Sequence, residues 1–138
     1  MATSILGFMI PKSLSIYVTA DSTVRQALEK MSYHKYKAVP IIDGEGRYLA
    51  TLRSDDIFRY FMSLGSFDKA LAEDSLAIDI ADKSCAKPLK HSATMNDLIE
   101  NVKEHNFVPI VDDRGCFIGI ILRREVLNYV LKFYKDGK

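Results

Sequence analysis

The order of apolar and polar positions says nearly the same thing twice. Val39–Ile42 is a short apolar run, closed by the turn residues Asp43, Gly44 and Gly46. A second strand follows from Tyr48, and Arg53-Ser54-Asp55-Asp56 stands where a helix opens. Phe107–Val111 is again apolar and rich in β-branched residues, and Asp112-Asp113-Arg114-Gly115 supplies the turn. Cys116–Leu122 has strand length, and Arg123-Arg124-Glu125 opens the next helix. Val-Pro-Ile-Ile-Asp and Val-Pro-Ile-Val-Asp lie 69 residues apart, as Pro40 and Pro109 show. A chain with such self-similarity is read as a repeat first.

Upstream of each phrase stands an amphipathic helix. Asp21-Ser22-Thr23 precedes Val24, Ala27, Leu28 and Met31, and Thr94 precedes Met95, Leu98, Ile99 and Val102. Here the offset is 71 residues, from Val18 to Leu89, so the second copy loses two residues between its helix and its Val-Pro strand. Each copy reads strand, helix, strand, strand, helix. The expected parts are an N-terminal helical segment at 1–12, repeat one at 13–62, a connection at 63–84 and repeat two at 85–135. Ser54 is the expected N-cap of the helix Asp55–Met62. Leu64, Phe67, Ala70 and Leu71 predict a short helix in the connection, with an irregular stretch at Ala77–Ser84. The last helix is expected to bury Val126, Leu127, Val130 and Leu131.

Composition narrows the classes. Hydrophobic residues make up 48% and charged residues 27%, ordinary globular usage, so disorder is not expected. A net charge of +1 gives no reason to expect nucleic-acid binding. Cys85 and Cys116 form no metal-binding or redox motif, which suits a reduced, cytoplasmic setting. The N-terminus has no basic n-region and no run reaches membrane-spanning length, so neither export nor a membrane partner is expected.

Arg123 and Arg124 carry the clearest chemical signal. Cations in the first turn of a helix cost about 0.3–1 kcal/mol each against its dipole, and repeat one has Ser54-Asp55-Asp56 at the matching place. An unfavourable local choice of this kind points to a bound anion, most simply a phosphate held by the helix terminus and two guanidinium forks. The bland alternative is a solvated arginine pair, or one bonded to Asp or Glu of a partner subunit. Gly44-Glu45-Gly46 precedes a strand, not a helix, so it is a hairpin turn and not a dinucleotide loop. Capping and turn duty account for Asp55-Asp56 and Asp112-Asp113, and His34, His91 and His105 lack metal-ligand spacing. No catalytic group and no metal site is expected.

The repeated h-P-h-h-D-x-x-G pattern in register with two helices resembles the CBS domain, and two in series resemble the tandem CBS pair, or Bateman module. The resemblance covers about Ser13 to Phe133. It implies an α/β fold of two pseudo-symmetric β-α-β-β-α repeats packed into one compact module, with adenine nucleotides bound between the repeats and no chemistry of its own. Carried over, one nucleotide site combines Ile16, Tyr17, Tyr36, Lys37 and Ala38 with Arg123 and Arg124. A second, weaker site combines Lys87, Pro88, Asn106 and Phe107 with Arg53 and Asp56. Tyr17, Tyr36 and Phe107 are candidates for stacking on a base, or for packing.

The family's junction motif is Gly-h-h-Thr-x-x-Asp. Repeat one keeps Asp56 but has Ala50 and Arg53 for Gly and Thr. Repeat two keeps Gly119 but has Leu122 and Glu125 for Thr and Asp. The leading Phe8-Met9-Ile10 and the Gly119–Leu127 junction more narrowly resemble bacterial stand-alone CBS-pair proteins that bind cyclic di-AMP. The resemblance therefore implies a homodimer that takes cyclic di-AMP, or AMP, ADP or ATP, as a regulatory ligand, with no cofactor, and signals to an effector protein. The alternative is a ligand-free interaction or assembly module with degraded nucleotide sites.

Overall fold

The computed structural model describes residues 4–83 and 87–136, so Cys85 lies outside the described residues. In chain order the regular elements are β1 (Ile10–Pro11), β2 (Val18–Thr19), α1 (Val24–His34), β3 (Ala38–Ile42), β4 (Tyr48–Arg53), α2 (Ser54–Leu64), α3 (Lys69–Asp74), α4 (Ala77–Ile80), β5 (Leu89–Lys90), α5 (Met95–Val102), β6 (Phe107–Val111), β7 (Phe117–Leu122) and α6 (Arg123–Asp136). The repeated strand-helix-strand-strand-helix order is present in both copies. Among the described residues no helix is long and apolar enough to cross a membrane.

The chain divides into two units, Ile16–Ala86 and Met1–Ser15 with Lys87–Lys138. The two breaks, after Ser15 and after Ala86, are 71 residues apart, the same spacing as the helices. Each repeat's leader thus belongs to the other repeat's unit: residues 1–15 go with repeat two, and the connection before repeat two stays with repeat one.

The first unit has the sheet order β2-β3-β4, with β2 parallel and β4 antiparallel to β3. Its core joins Val24, Ala27 and Met31 of α1, Val39 and Ile41 of β3, Leu52 of β4, Ile57 and Phe61 of α2, and Ala72, Ala77 and Ala81 of the connection. The second unit has the order β1-β7-β6-β5, and its core joins Ile5, Leu98, Val102, Val108, Ile110, Ile121 and Val126.

The internal symmetry reaches single bonds. Thr23 Oγ1 accepts from Gln26 N–H (3.1 Å) and Gln26 Oε1 from Thr23 N–H (2.9 Å). Thr94 and Asp97 repeat this reciprocal cap at 3.1 and 3.0 Å. The ladder slips between Ile41 and Ile42 and between Ile110 and Val111, again 69 apart. Gly46 at φ 86° and Gly115 at φ 83° close the two hairpins in the left-handed region where a Cβ is strained. The missing two residues of repeat two resolve into a helix three residues shorter, followed by a loop one residue longer. α1 has 11 residues and ends on Lys35 at φ 60°, whereas α5 stops after 8 with Lys103 still right-handed.

The hairpin carboxylates make a pH prediction. Asp43 is held below its ordinary value of 3.8 chiefly by the Arg47 N–H, and Asp112 below 3.8 chiefly by the Cys116 N–H. Groups with lowered folded values contribute stability that is complete above the unfolded value and drains away as the pH falls through the folded one. The urea midpoint should hold from neutrality to about pH 5 and drop between about pH 4 and 2. The double variant Asp43→Asn/Asp112→Asn should start lower and show a shallower acid slope.

Three local expectations are corrected. The N-terminal segment is not an α-helix: Ile5–Phe8 is a single 3₁₀ turn capped by Ser4, and Ile10–Pro11 is a strand antiparallel to β7. Pro11 disfavours helical geometry at Ile10, and the open edge of β7 offers hydrogen bonds instead. Ala77–Ile80 is a short helix and not irregular, because Ala77 N–H donates to Ser22 O (2.9 Å) and Val24 N–H to Ser75 O (2.8 Å), pinning the connection to the start of α1. In α6, Val126 is buried, but Leu127, Val130 and Leu131 are exposed among the described residues.

Candidate functional site

Strand directions decide which candidate residues meet. β2 runs parallel to β3 and begins beside Ile41, so the residues leading into it, Ile16 and Tyr17, lie toward the end where β3 starts. β4 returns to that end, where Arg53 pairs with Ala38. Ile16 and Tyr17, Tyr36–Ala38, and Arg53 with Asp56 therefore cluster at one sheet end. The second unit does the same with Lys87 and Pro88 ahead of β5, Asn106 and Phe107 at the start of β6, and Arg123 and Arg124 after β7. One hydrogen bond fixes each junction: Ser54 N–H donates to Lys37 O, and Arg123 N–H to Asn106 O, both at 2.8 Å. Each unit thus gathers one first-strand segment, one pre-proline loop and one junction.

The two junctions differ in charge and in openness. In the first unit Arg53, not Ser54, occupies the N-cap of α2, and Ser54 is the first helical residue. The reason is Asp56, whose Oδ2 accepts from Arg53 N–H at 2.9 Å, the outer half of a capping box. A guanidinium has no acceptor to supply the other half. The Asp56 carboxylate, fully buried, also accepts from Arg53 Nη2 (3.3 Å) and Arg59 Nη2 (2.5 Å), and Asp82 stands 3.9 Å from Arg53 Nη2. Arg53 and Asp56 are therefore engaged with each other and with Arg59.

In the second unit Glu125, at the place of Asp56, has a side chain 47% exposed and lies 3.9 Å from Arg124 Nε. The Arg124 side chain is 75% exposed. Arg123 is partly offset after all: its Nε donates to Val102 O at 2.7 Å, a carbonyl left over at the end of α5. Its position at a helix start is thus explained in part by the end of another helix. The same bond fixes the guanidinium at the mouth of α6.

The remaining candidates fall out as follows. Ile16 packs partly against the first unit's core. Tyr17 is half-buried; Lys30 Nζ donates to its carbonyl (2.8 Å) and sits 5.6 Å from its ring centroid. Tyr36 is 39% exposed, its ring tilted 6.3 Å from that of His34. Phe107 is half-buried beside Leu122. Lys30 and Arg59 escaped the sequence reading. Lys30 had a signal, being one helical turn from Gln26 on α1, and its counterpart Asn101 likewise donates to a leader carbonyl, Lys87 O, at 3.3 Å. A cavity of about 530 Å³ opens in the first unit between Val18, Thr19, Asp21, Ser22, Gln26, Glu29 and Lys30. None of the predicted site residues lines it.

Solved structures share this fold. A hypothetical conserved protein from Geobacillus kaustophilus is 21% identical and matches with a TM-score of 0.86 over 96% of this chain and 98% of that one. CbpB of Listeria monocytogenes, solved in complex with c-di-AMP, is 21% identical with a TM-score of 0.83 over 95% and 97%. CBSX2, solved in complex with AMP, is 22% identical with a TM-score of 0.75 over 95% and 98%. No curated protein sequence matches the chain. The CBS domain model matches residues 8–63 and 86–132, one copy in each repeat, and the chain belongs to the CBS domain family as a tandem pair.

Proposed function

We propose that the protein is a non-catalytic regulatory module that binds an adenine nucleotide, cyclic di-AMP first among the candidates, and signals as a homodimer to an effector protein. The observation that carries this reading is the opening of α6. Two adjacent arginines stand at a helix N-terminus, one held by Val102 O and the other 75% exposed. Such a terminus offers backbone N–H groups and guanidinium forks to a phosphate. That the similarly folded CbpB and CBSX2 were solved with c-di-AMP and AMP supports the ligand class.

A second reading, a ligand-free assembly module, draws on the first unit's junction, where Arg53 and Arg59 both turn to the buried Asp56 carboxylate. We therefore assign the ligand to the α6 junction and not to the α2 junction.

Thermal unfolding with cyclic di-AMP, AMP, ADP, ATP and S-adenosylmethionine tests the assignment. A ligand at ~100 times its Kd stabilises by about 2.7 kcal/mol, roughly several degrees in Tm. Arg124→Ala is the cleaner variant, because its side chain makes no packing contribution comparable to the Arg123–Val102 bond. It should leave the Tm of the free protein unchanged and weaken nucleotide binding by about tenfold or more, the loss of one charge-assisted contact. No shift with any nucleotide would favour the assembly module.

A further inference from the structure

We propose that the segment closing α1, Tyr33-His34-Lys35-Tyr36-Lys37, is the docking surface for an acidic segment of the effector protein. The inference rests on the effector in the reading above and specifies where it binds and by what chemistry. All five residues are exposed, Tyr33 by 82%. Their rings form a row: Tyr33 meets His34 edge-on at 4.8 Å, and His34 lies 6.3 Å from Tyr36. Lys30, also exposed, stands one helical turn before Tyr33 and His34 on the same face. No Asp or Glu occurs between Glu29 and Asp43. Among the described residues neither Lys35 nor Lys37 forms an ion pair.

The fold does not demand this sequence. Repeat two joins its helix to its Val-Pro strand through Lys103-Glu104-His105-Asn106, with no tyrosine. Glu104 balances the charge there, and Lys103 pairs with Glu100 at 2.8 Å. Repeat one also accepts strain to keep a cation. Lys35 sits at φ 60°, in the left-handed region that α2 fills with Gly65 at φ 70°. A helix C-terminus favours a nearby cation, which accounts for one lysine but not for two of them flanking an exposed tyrosine. The backbone is held as well: Tyr36 N–H donates to Met31 O at 2.9 Å, and Lys37 O accepts from Ser54 N–H at 2.8 Å. Tyrosines on a fixed backbone give contact area at little cost in side-chain ordering, and the lysines around them complement carboxylates. The charge is confined to one loop of a chain whose net charge is +1. That suits a short acidic segment better than the long phosphate run of a nucleic acid.

Fluorescence anisotropy of the full chain with a labelled oligoglutamate peptide tests the surface, beside an oligoglutamine of the same length and a single-stranded oligothymidylate. The oligoglutamate should bind more tightly than either, and less tightly as salt is raised. Tyr33→Ala should weaken that binding by about tenfold with the far-UV spectrum unchanged. Lys35→Gly relieves the backbone, so it should hold or raise the Tm while weakening the peptide by about fivefold. A purely structural role for Lys35 would not separate the two readouts. Both variants should keep any Tm shift with nucleotide, since that ligand is assigned to the α6 junction. Absent oligoglutamate binding, or binding indifferent to both substitutions, would overturn the docking surface, and a Tm shift with nucleotide would still leave the regulatory reading standing. Tighter binding of oligothymidylate would overturn the acidic protein partner in favour of a nucleic acid. Loss of the nucleotide response in Tyr33→Ala would overturn the proposal by placing the loop in the nucleotide site.

Discussion

Replacing Ile5 by alanine should cost about 2–5 kcal/mol of folding free energy, as much as truncating a residue in the middle of a core strand. Ile5 precedes both repeats and lies outside the strand-helix-strand-strand-helix pattern. Yet it is fully buried, and its neighbours in the core are Leu98, Val102, Val108, Ile110, Ile121 and Val126 of repeat two. Its segment is held from several directions. Ile10 and Pro11 pair with Ile120 and Gly119, Ser15 Oγ donates to Pro11 O at 2.8 Å, and the Phe8 ring meets Tyr129 edge-on at 5.1 Å. With so many anchors the segment cannot collapse into the space vacated by the side chain. The cost therefore belongs in the cavity-forming range. Ile5→Val, which removes one methylene, should cost about 0.5–1.5 kcal/mol. Urea titrations check both values, with the midpoint falling and the slope unchanged. A midpoint unmoved by Ile5→Ala would mean that residues 4–11 do not hold this position in solution.

The repeat, its strand order and its helix caps were legible because they rest on local rules. Thr23 and Thr94 sit before apolar residues at helical spacing, and Gly46 and Gly115 mark turns that demand a positive φ. What escaped was set by contacts distant in sequence. Ile5–Ile10 looks like a short apolar helix until the edge of β7 is available to pair with it. Gly119 matched a family glycine, but its use here is steric: a Cβ there would stand 2.4 Å from Ile10 O and 2.7 Å from Met9 Cγ. Only a glycine lets the leader lie so close. The site was less legible. The resemblance combines the first-strand segment and pre-proline loop of one repeat with the junction of the other, whereas strand directions gather all three from the same unit. The engagement of Asp56 by Arg53 and Arg59, and of Arg123 by Val102 O, depends on side-chain placement. Arginine at positions 53 and 59 gives no hint in sequence that both turn to one buried carboxylate.

Cutting the chain at the boundaries that periodicity suggests should destroy both repeats, and cutting it at the exchanged boundaries should preserve them. A polypeptide of residues 13–62 contains all of repeat one but lacks Ala72, Ala77 and Ala81 of its core, along with Leu71, Ile78 and Ile80 packed against it. It also loses the bonds from Val24 N–H to Ser75 O and from Ala77 N–H to Ser22 O, and the contact between Tyr60 and Ser75 hydroxyls. At about 50 residues with one core face uncovered, it falls below the size at which a single core sustains itself. Residues 16–86 keep all of these and should unfold cooperatively in urea, as followed by circular dichroism. For repeat two, residues 87–138 alone lack Ile5 and β1 and should remain unfolded. The same residues carrying 1–15 on a flexible N-terminal linker should regain a cooperative transition. The two repeats make opposite demands here, one needing sequence that follows it and the other sequence that precedes repeat one. A stable 13–62 fragment would show that the connection decorates repeat one without completing its core. The leader exchange would then be a feature of the assembled chain alone and not of how its halves fold.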